Sequence, residues 1–200
     1  MRIGIFGGTF DPPHAGHKKY ADEFKEKLSL DKLLVIPTAT PPHKSNEQTA
    51  DSSDRLNMLK ILFDGDSRSE VSDMEIARGG KSYTYETVTL LREQYPDDEL
   101  IFLLGSDMLL SFHRWLNPDT ILEKVKICAV TRSGEIDEEN LSGYIDEYFP
   151  DKKDRFIICE FEPIELSSTE IRNAIKNGLS VDGLLDEQVL KYIKEKELYL

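Results

Sequence analysis

The sequence predicts an α/β fold: a doubly wound parallel sheet with helices on both faces, followed by a C-terminal helical segment over about residues 168–200. Three observations predict it. Short β-rich apolar runs recur along the chain and read as strands buried on both faces, hence parallel ones. Amphipathic segments with apolar residues at helical spacing separate them. Four of the strands run directly into glycine-, proline- or polar-rich segments of the kind that bind ligands beyond strand carboxyl ends. Alternation of this kind implies right-handed βαβ crossovers.

The elements follow in order. "RIGIF" is the first strand, broken at Gly7 and Gly8, and "HKKYADEFKEKL" the helix after it. "LLVIP" leads into "SSDRLNMLKILF", and "SYTYETVTLLREQY" precedes the strand "LIFLLG". "PDTILEKV" is helical, and "KICAV" and "RFIICE" are the last strands. The tail "STEIRNAIKNG" and "DEQVLKYIKEKEL" gives two helices, with Gly178 as C-cap of the first. The acidic stretch 135–154, "EIDEENLSGYIDEYFPDKKD", reads as an exposed insertion or solvated helix. No linker or repeat divides the chain, so residues 1–200 are expected to form one domain.

A net charge of -13 argues against sequence-independent nucleic-acid binding, which needs a basic surface. No stretch is long and apolar enough to span a bilayer, and "MRIGIFGG" lacks a signal peptide's apolar core. Cys128 and Cys159 lie in apolar strand runs and read as buried, reduced thiols of a cytoplasmic protein.

The chemistry concentrates in "IGIFGGTFDPPHAGH", residues 3–17. Gly7 and Gly8 let an anion approach the backbone, and the next helix presents its positive N-terminus to the same space. His14 and His17, three apart around Gly16, can aim at one phosphate. Alone, one would cap the helix and the other pack in the core; a zinc site would need a third ligand that is absent nearby in sequence. An acidic group would repel phosphate, so Asp11 is expected to orient the loop. In "LSSTEIR", Ser167 and Glu170 fit a capping box, whereas Arg172 opposes the helix macrodipole. A bound anion would remove that conflict, so without ligand its loss is expected to leave stability level or slightly raised.

The string "GGTFDPPHAGH" with "LSSTEIR" resembles the nucleotidylyltransferase superfamily. The intervening "PPHK", "SYT" and "GSD" are similar to its bacterial nicotinate-nucleotide adenylyltransferase branch, and the likeness runs to the final "YIKEKELYL". The resemblance implies a Rossmann-like fold and transfer of AMP from ATP to nicotinate mononucleotide. Magnesium would be bound with ATP and not by a dedicated protein cage. It gives His14, His17 and Arg172 the catalytic roles. Gly7, Gly8, Thr9, Phe10, Gly16, Gly105, Asp107, Arg132, Ser168 and Thr169 would bind ATP. Lys44, Thr84, Tyr85, Trp115 and Leu116 would bind the mononucleotide, with Trp115 stacked on the pyridine ring. Leu116 departs from relatives that often carry an aromatic there: if only its N–H is used the change should be tolerated, and if a ring is needed acid selectivity should be weaker. Read without the resemblance, Asp107 is a helix N-cap, Trp115 a core residue and Arg132 a solvated cation. Lys18, Lys19, Lys44, Arg132 and Arg172 would have to make the cleft of this acidic protein locally positive. The alternatives are a phosphopantetheine adenylyltransferase and an inactive nucleotide sensor. The partners implied are ATP and nicotinate mononucleotide, without nucleic acid or membrane; a homo-oligomer is compatible with the sequence.

Overall fold

A computed structural model describes residues 1–40, 50–132, 138–162 and 166–200. Among them are six strands: β1 (Arg2–Gly8), β2 (Lys32–Pro37), β3 (Ser69–Val71), β4 (Glu99–Gly105), β5 (Lys126–Arg132) and β6 (Phe156–Phe161). They form one sheet in the order β3-β2-β1-β4-β5-β6. β4 pairs in parallel with β1 and β5, and β5 with β6, placing Ile3 opposite Leu100 and Leu103 opposite Cys128. The order reverses between β1 and β4, as in a Rossmann-like doubly wound sheet. Ile3, Ile5, Leu33–Ile36, Leu100–Leu104 and Ile127–Val130 are buried, which is why these runs read as uniformly apolar.

Two strands differ from expectation. β3, "SEV", is too short and polar to give a pattern. β6 is the last strand of the order, and of its six residues only Phe161 is fully buried. An edge strand is covered on fewer sides than a central one, so Cys159 is half-exposed while Cys128 is buried. Both thiols are free.

The helices begin with α1 (Ala15–Lys27), α2 (Ser52–Leu62), α3 (Met74–Arg78) and α4 (Thr84–Gln94). They continue with α5 (Ser106–Leu109), α6 (Pro118–Lys124), α7 (Glu138–Tyr148), α8 (Ser168–Lys176) and α9 (Glu187–Glu195). α7 corrects the reading of the acidic stretch as wholly solvated: Leu141, Tyr144 and Ile145 are buried on one face, and only its other face is acidic.

α8 opens on the expected capping box: the Ser167 hydroxyl accepts the Glu170 N–H, and Glu170 accepts the Ser167 N–H. Its C-cap is Asn177, not Gly178 as expected; Gly178 follows the cap with a φ of 65° that suits glycine, and Leu179 N–H bonds to the Ala174 carbonyl. Ile171 of α8 and Val189 and Ile193 of α9 share a core cluster with Met58, Val181 and Leu185. Truncating one of its fully buried members, such as Ile171→Ala, would cost about 2–5 kcal/mol.

The chain divides into two compact units. The first is Met1–Phe6, Glu23–Leu34 and Tyr83–Pro163; the second is Gly7–Asp22, Val35–Ser82 and Ile164–Leu200. No helix among the described residues is long and apolar enough to cross a membrane.

Candidate active site

The second unit contains the whole loop from Gly7 to His17. Gly7 and Gly8 are the last residues of β1, not a break after it, and the Gly8 carbonyl accepts the Thr38 N–H at 2.9 Å. A Cβ on Gly8 would come 2.9 Å from the Phe10 ring, so this glycine makes room for an aromatic side chain. Phe10 is buried and holds φ 53°, a left-handed conformation that costs a bulky residue about 1–2 kcal/mol. Such strain persists only where the surroundings impose it.

Arg55 of α2 is one of the groups that impose it. Its buried guanidinium donates to the carbonyls of Thr9 (2.7 Å), Thr38 (2.7 Å), Ala39 (3.1 Å) and Ala50 (3.2 Å). Burial lowers its pKa and the Asp11 charge opposes that, but an arginine stays charged regardless. Sequence reasoning missed Arg55. The signal was its place on the buried stripe of α2 with Met58 and Leu59.

Asp11, 1% exposed, orients the loop as expected. Its Oδ1 accepts the Ala50 N–H at 3.0 Å and the Tyr199 hydroxyl at 2.7 Å. Its main-chain carbonyl accepts a bond from Arg172 Nη1 at 2.7 Å, and Oδ2 lies 3.8 Å from the same guanidinium. Arg172 is therefore not stranded at an empty helix N-terminus; a carboxylate of the protein itself answers the macrodipole conflict. Ser168 and Thr169 join this arrangement. The Ser168 hydroxyl donates to the Pro12 carbonyl at 2.9 Å, and Thr169 Oγ1 accepts from Arg172 Nη2 at 3.3 Å.

His14 does not share a helix face with His17: it precedes α1, and His17 stands in the first turn. The rings nevertheless stack, with centroids 3.7 Å apart, and Phe10 meets His17 edge-on at 4.9 Å. His17 Nδ1 accepts the His14 backbone N–H at 3.2 Å, capping the helix and leaving the proton on Nε2. Burial lowers the His14 pKa to about 4. Burial, and then the neighbouring His14, push His17 well below its usual value. Both rings are neutral at pH 7. His14 Nδ1 is buried without a hydrogen-bond partner among the described residues. No group of three His, Cys, Asp or Glu among the described residues is arranged to hold a metal ion.

Lys18 does not supply positive potential as expected. Its ammonium is held by Asp22 at 2.6 Å and Asp66 at 3.3 Å. Arg55 and Arg172 are the two guanidinium groups bonded to the loop, and the charges of Asp11 and Asp51 act on Arg55. Lys44 lies outside the described residues.

The first unit holds the remaining candidates. Gly105 ends β4 and takes the N-cap position of α5, so Asp107 is not the cap; it is exposed, with its carboxylate against the Gly105 Cα. Arg132 closes β5 opposite Phe161. Thr84 begins α4, and the Tyr85 hydroxyl donates to Glu86 at 3.0 Å. Trp115 is half-buried, packed 5.5 Å from the Phe112 ring, and Leu116 is 50% exposed. Phe112 is the core aromatic here, and Trp115 is only partly buried.

Residues 5–174 match the family model described as cytidylyltransferase-like. The protein of Clostridium tetani named "Probable nicotinate-nucleotide adenylyltransferase" is 40% identical over 98% of this chain and 97% of its own length. The nicotinate-nucleotide adenylyltransferase of Bacillus subtilis is 36% identical over 99% and 98%. The chain belongs to the nicotinate-nucleotide adenylyltransferase family. Among solved structures, the Plasmodium falciparum nicotinic acid mononucleotide adenylyltransferase complexed with NaAD superposes with a TM-score of 0.79 at 21% identity, covering 99% and 97% of the two chains. That likeness concerns the fold. Family membership makes the protein a nucleotidyltransferase.

Proposed function

We propose that the chain transfers AMP from ATP to nicotinate mononucleotide, giving deamido-NAD and pyrophosphate, with residues 1–200 acting as one domain in the cytoplasm. The observation that carries the reading is the histidine loop: two neutral, stacked imidazoles at a helix N-terminus, with Arg172 bonded to the same loop. Full-length similarity to nicotinate-nucleotide adenylyltransferases supports it.

A phosphate oxygen of the mononucleotide attacks the ATP α-phosphorus. The bond from that phosphorus to the bridging oxygen breaks, pyrophosphate leaves, and neither water nor an enzyme group is consumed. The protein's work is to align two anions and stabilise the charge that shifts between them. Neutral N–H donors on His14 and His17 do this without a proton that would first have to be taken up. Arg172, Ser168, Thr169 and the segment Gly7–Phe10 with Gly16 bind the triphosphate; the family resemblance also assigns Gly105, Asp107 and Arg132 to ATP. Lys44, Thr84, Tyr85, Trp115 and Leu116 take the acceptor. The divalent cation, Mg2+, arrives on the triphosphate as part of the substrate.

The test is to incubate the protein with ATP, magnesium and, separately, nicotinate mononucleotide, nicotinamide mononucleotide and phosphopantetheine, and to identify products by mass. Deamido-NAD with equimolar pyrophosphate is expected. Adenylylation of phosphopantetheine alone, or no pyrophosphate with any acceptor, would overturn the reading.

A further inference from the structure

We propose that Tyr199 is a positioning residue of the ATP site: its hydroxyl fixes the Asp11 carboxylate, and Asp11 in turn fixes Arg172. The inference rests on the proposed function, in which Arg172 holds the ATP phosphates. All three residues belong to the second unit.

The geometry forms a single chain of contacts. Tyr199 donates to Asp11 Oδ1 at 2.7 Å, a well-formed hydroxyl hydrogen bond. The Ala50 N–H shares that oxygen, so Oδ1 is held from two sides and Oδ2 is turned toward Arg172, 3.8 Å away. The Asp11 carbonyl takes the Arg172 Nη1 bond at 2.7 Å. Burial first, and then Asp11, push the Tyr199 pKa upward, so it remains a donor across any working pH.

Two further observations set Tyr199 apart from an ordinary surface residue. Its backbone holds φ 65°, a conformation bulky residues adopt at a cost and only where something fixes them. Its ring packs against the core cluster that contains Ile171, the neighbour of Arg172 in sequence. The ring therefore anchors the residue and the hydroxyl does the positioning. The two tasks can be separated by Tyr199→Phe, which keeps the ring and deletes one oxygen.

A loosened Arg172 should weaken ATP handling and spare the acceptor, four of whose five candidate residues, Thr84, Tyr85, Trp115 and Leu116, belong to the first unit. In Tyr199→Phe we expect the KM for ATP to rise about tenfold, the scale of a small misplacement of a binding group. The KM for nicotinate mononucleotide should stay within about twofold. Calorimetry with a non-reacting α,β-methylene ATP analogue should show the same loss of affinity without any turnover. Unchanged ATP parameters in a folded Tyr199→Phe protein would overturn the proposal. So would an equal loss for both substrates, or failure to fold, because each would make the hydroxyl merely structural. Failure of the unaltered protein to transfer AMP would instead refute the functional reading, while the analogue affinities would still report on Tyr199.

Discussion

Replacing Arg172 with alanine should destabilise the ligand-free protein, contrary to the expectation that it is a cation opposing the helix macrodipole. The substitution removes a charge-assisted bond to the Asp11 carbonyl at 2.7 Å, worth about 1.5–3 kcal/mol. It also removes the cation 3.8 Å from a carboxylate that is 1% exposed. Stripping one partner from a buried pair costs about 3–5 kcal/mol when the remaining charge is left alone. Asp11 is not left alone: it keeps the Ala50 N–H and the Tyr199 hydroxyl, and the Arg55 charge still acts on it. Relief at the helix N-terminus returns about 0.3–1 kcal/mol. The net loss should be about 2–4 kcal/mol. At about 2–4 °C per kcal/mol for a chain of this size, the thermal midpoint should fall by about 4–16 °C. Urea titration of the apo protein should show a lower midpoint at constant slope. A midpoint equal to or above that of the parent would refute the reasoning and restore Arg172 as a cation waiting for a ligand.

His17→Ala should leave the protein folded, losing about 1 kcal/mol with the cap to the His14 N–H, while turnover falls about a hundredfold or more; near-normal turnover would remove His17 from the chemistry. Stability should fall as pH drops from about 6.5 toward 4, because the unfolded histidines take up protons that the buried His14, with its pKa lowered to about 4, refuses. That loss reaches on the order of 3 kcal/mol for His14 alone, and a flat urea midpoint between pH 7 and 4.5 would contradict the burial of the pair. Nicotinate mononucleotide should be preferred to its amide counterpart by several powers of ten in kcat/KM, since backbone N–H groups suit a carboxylate and meet an amide NH2 donor against donor. Equal efficiency with the two would show that the acceptor site around Thr84, Tyr85 and Leu116 has been misread.

The central sheet was legible because β2, β4 and β5 bury nearly every side chain and β1 buries Ile3 and Ile5, and burial on both faces writes itself as an uninterrupted apolar run. β3 and the half-exposed β6 carry less of that signal. The capping box at Ser167 and the glycine stop at Gly178 were legible because each satisfies a local backbone need with a specific residue type. What escaped was long-range. Asp11 is brought to Arg172 and Tyr199 from 161 and 188 residues away along the chain, and Arg55 reaches Thr9 across 46. No spacing rule connects such positions. Lys18, read for the cleft, is likewise bound by Asp66 from 48 residues away as well as by Asp22.

The account holds that AMP passes in one displacement from ATP to the mononucleotide, with the histidine loop supplying alignment and charge stabilisation and no bond to the enzyme. The stereochemical course at the α-phosphorus tests this most directly. One diastereomer of adenosine 5′-(α-thiotriphosphate) would be turned over with nicotinate mononucleotide, and the configuration of the thio-dinucleotide product determined by phosphorus NMR. Inversion is the predicted result. Retention would require two displacements through an adenylylated side chain, and would contradict the role given to His14 and His17.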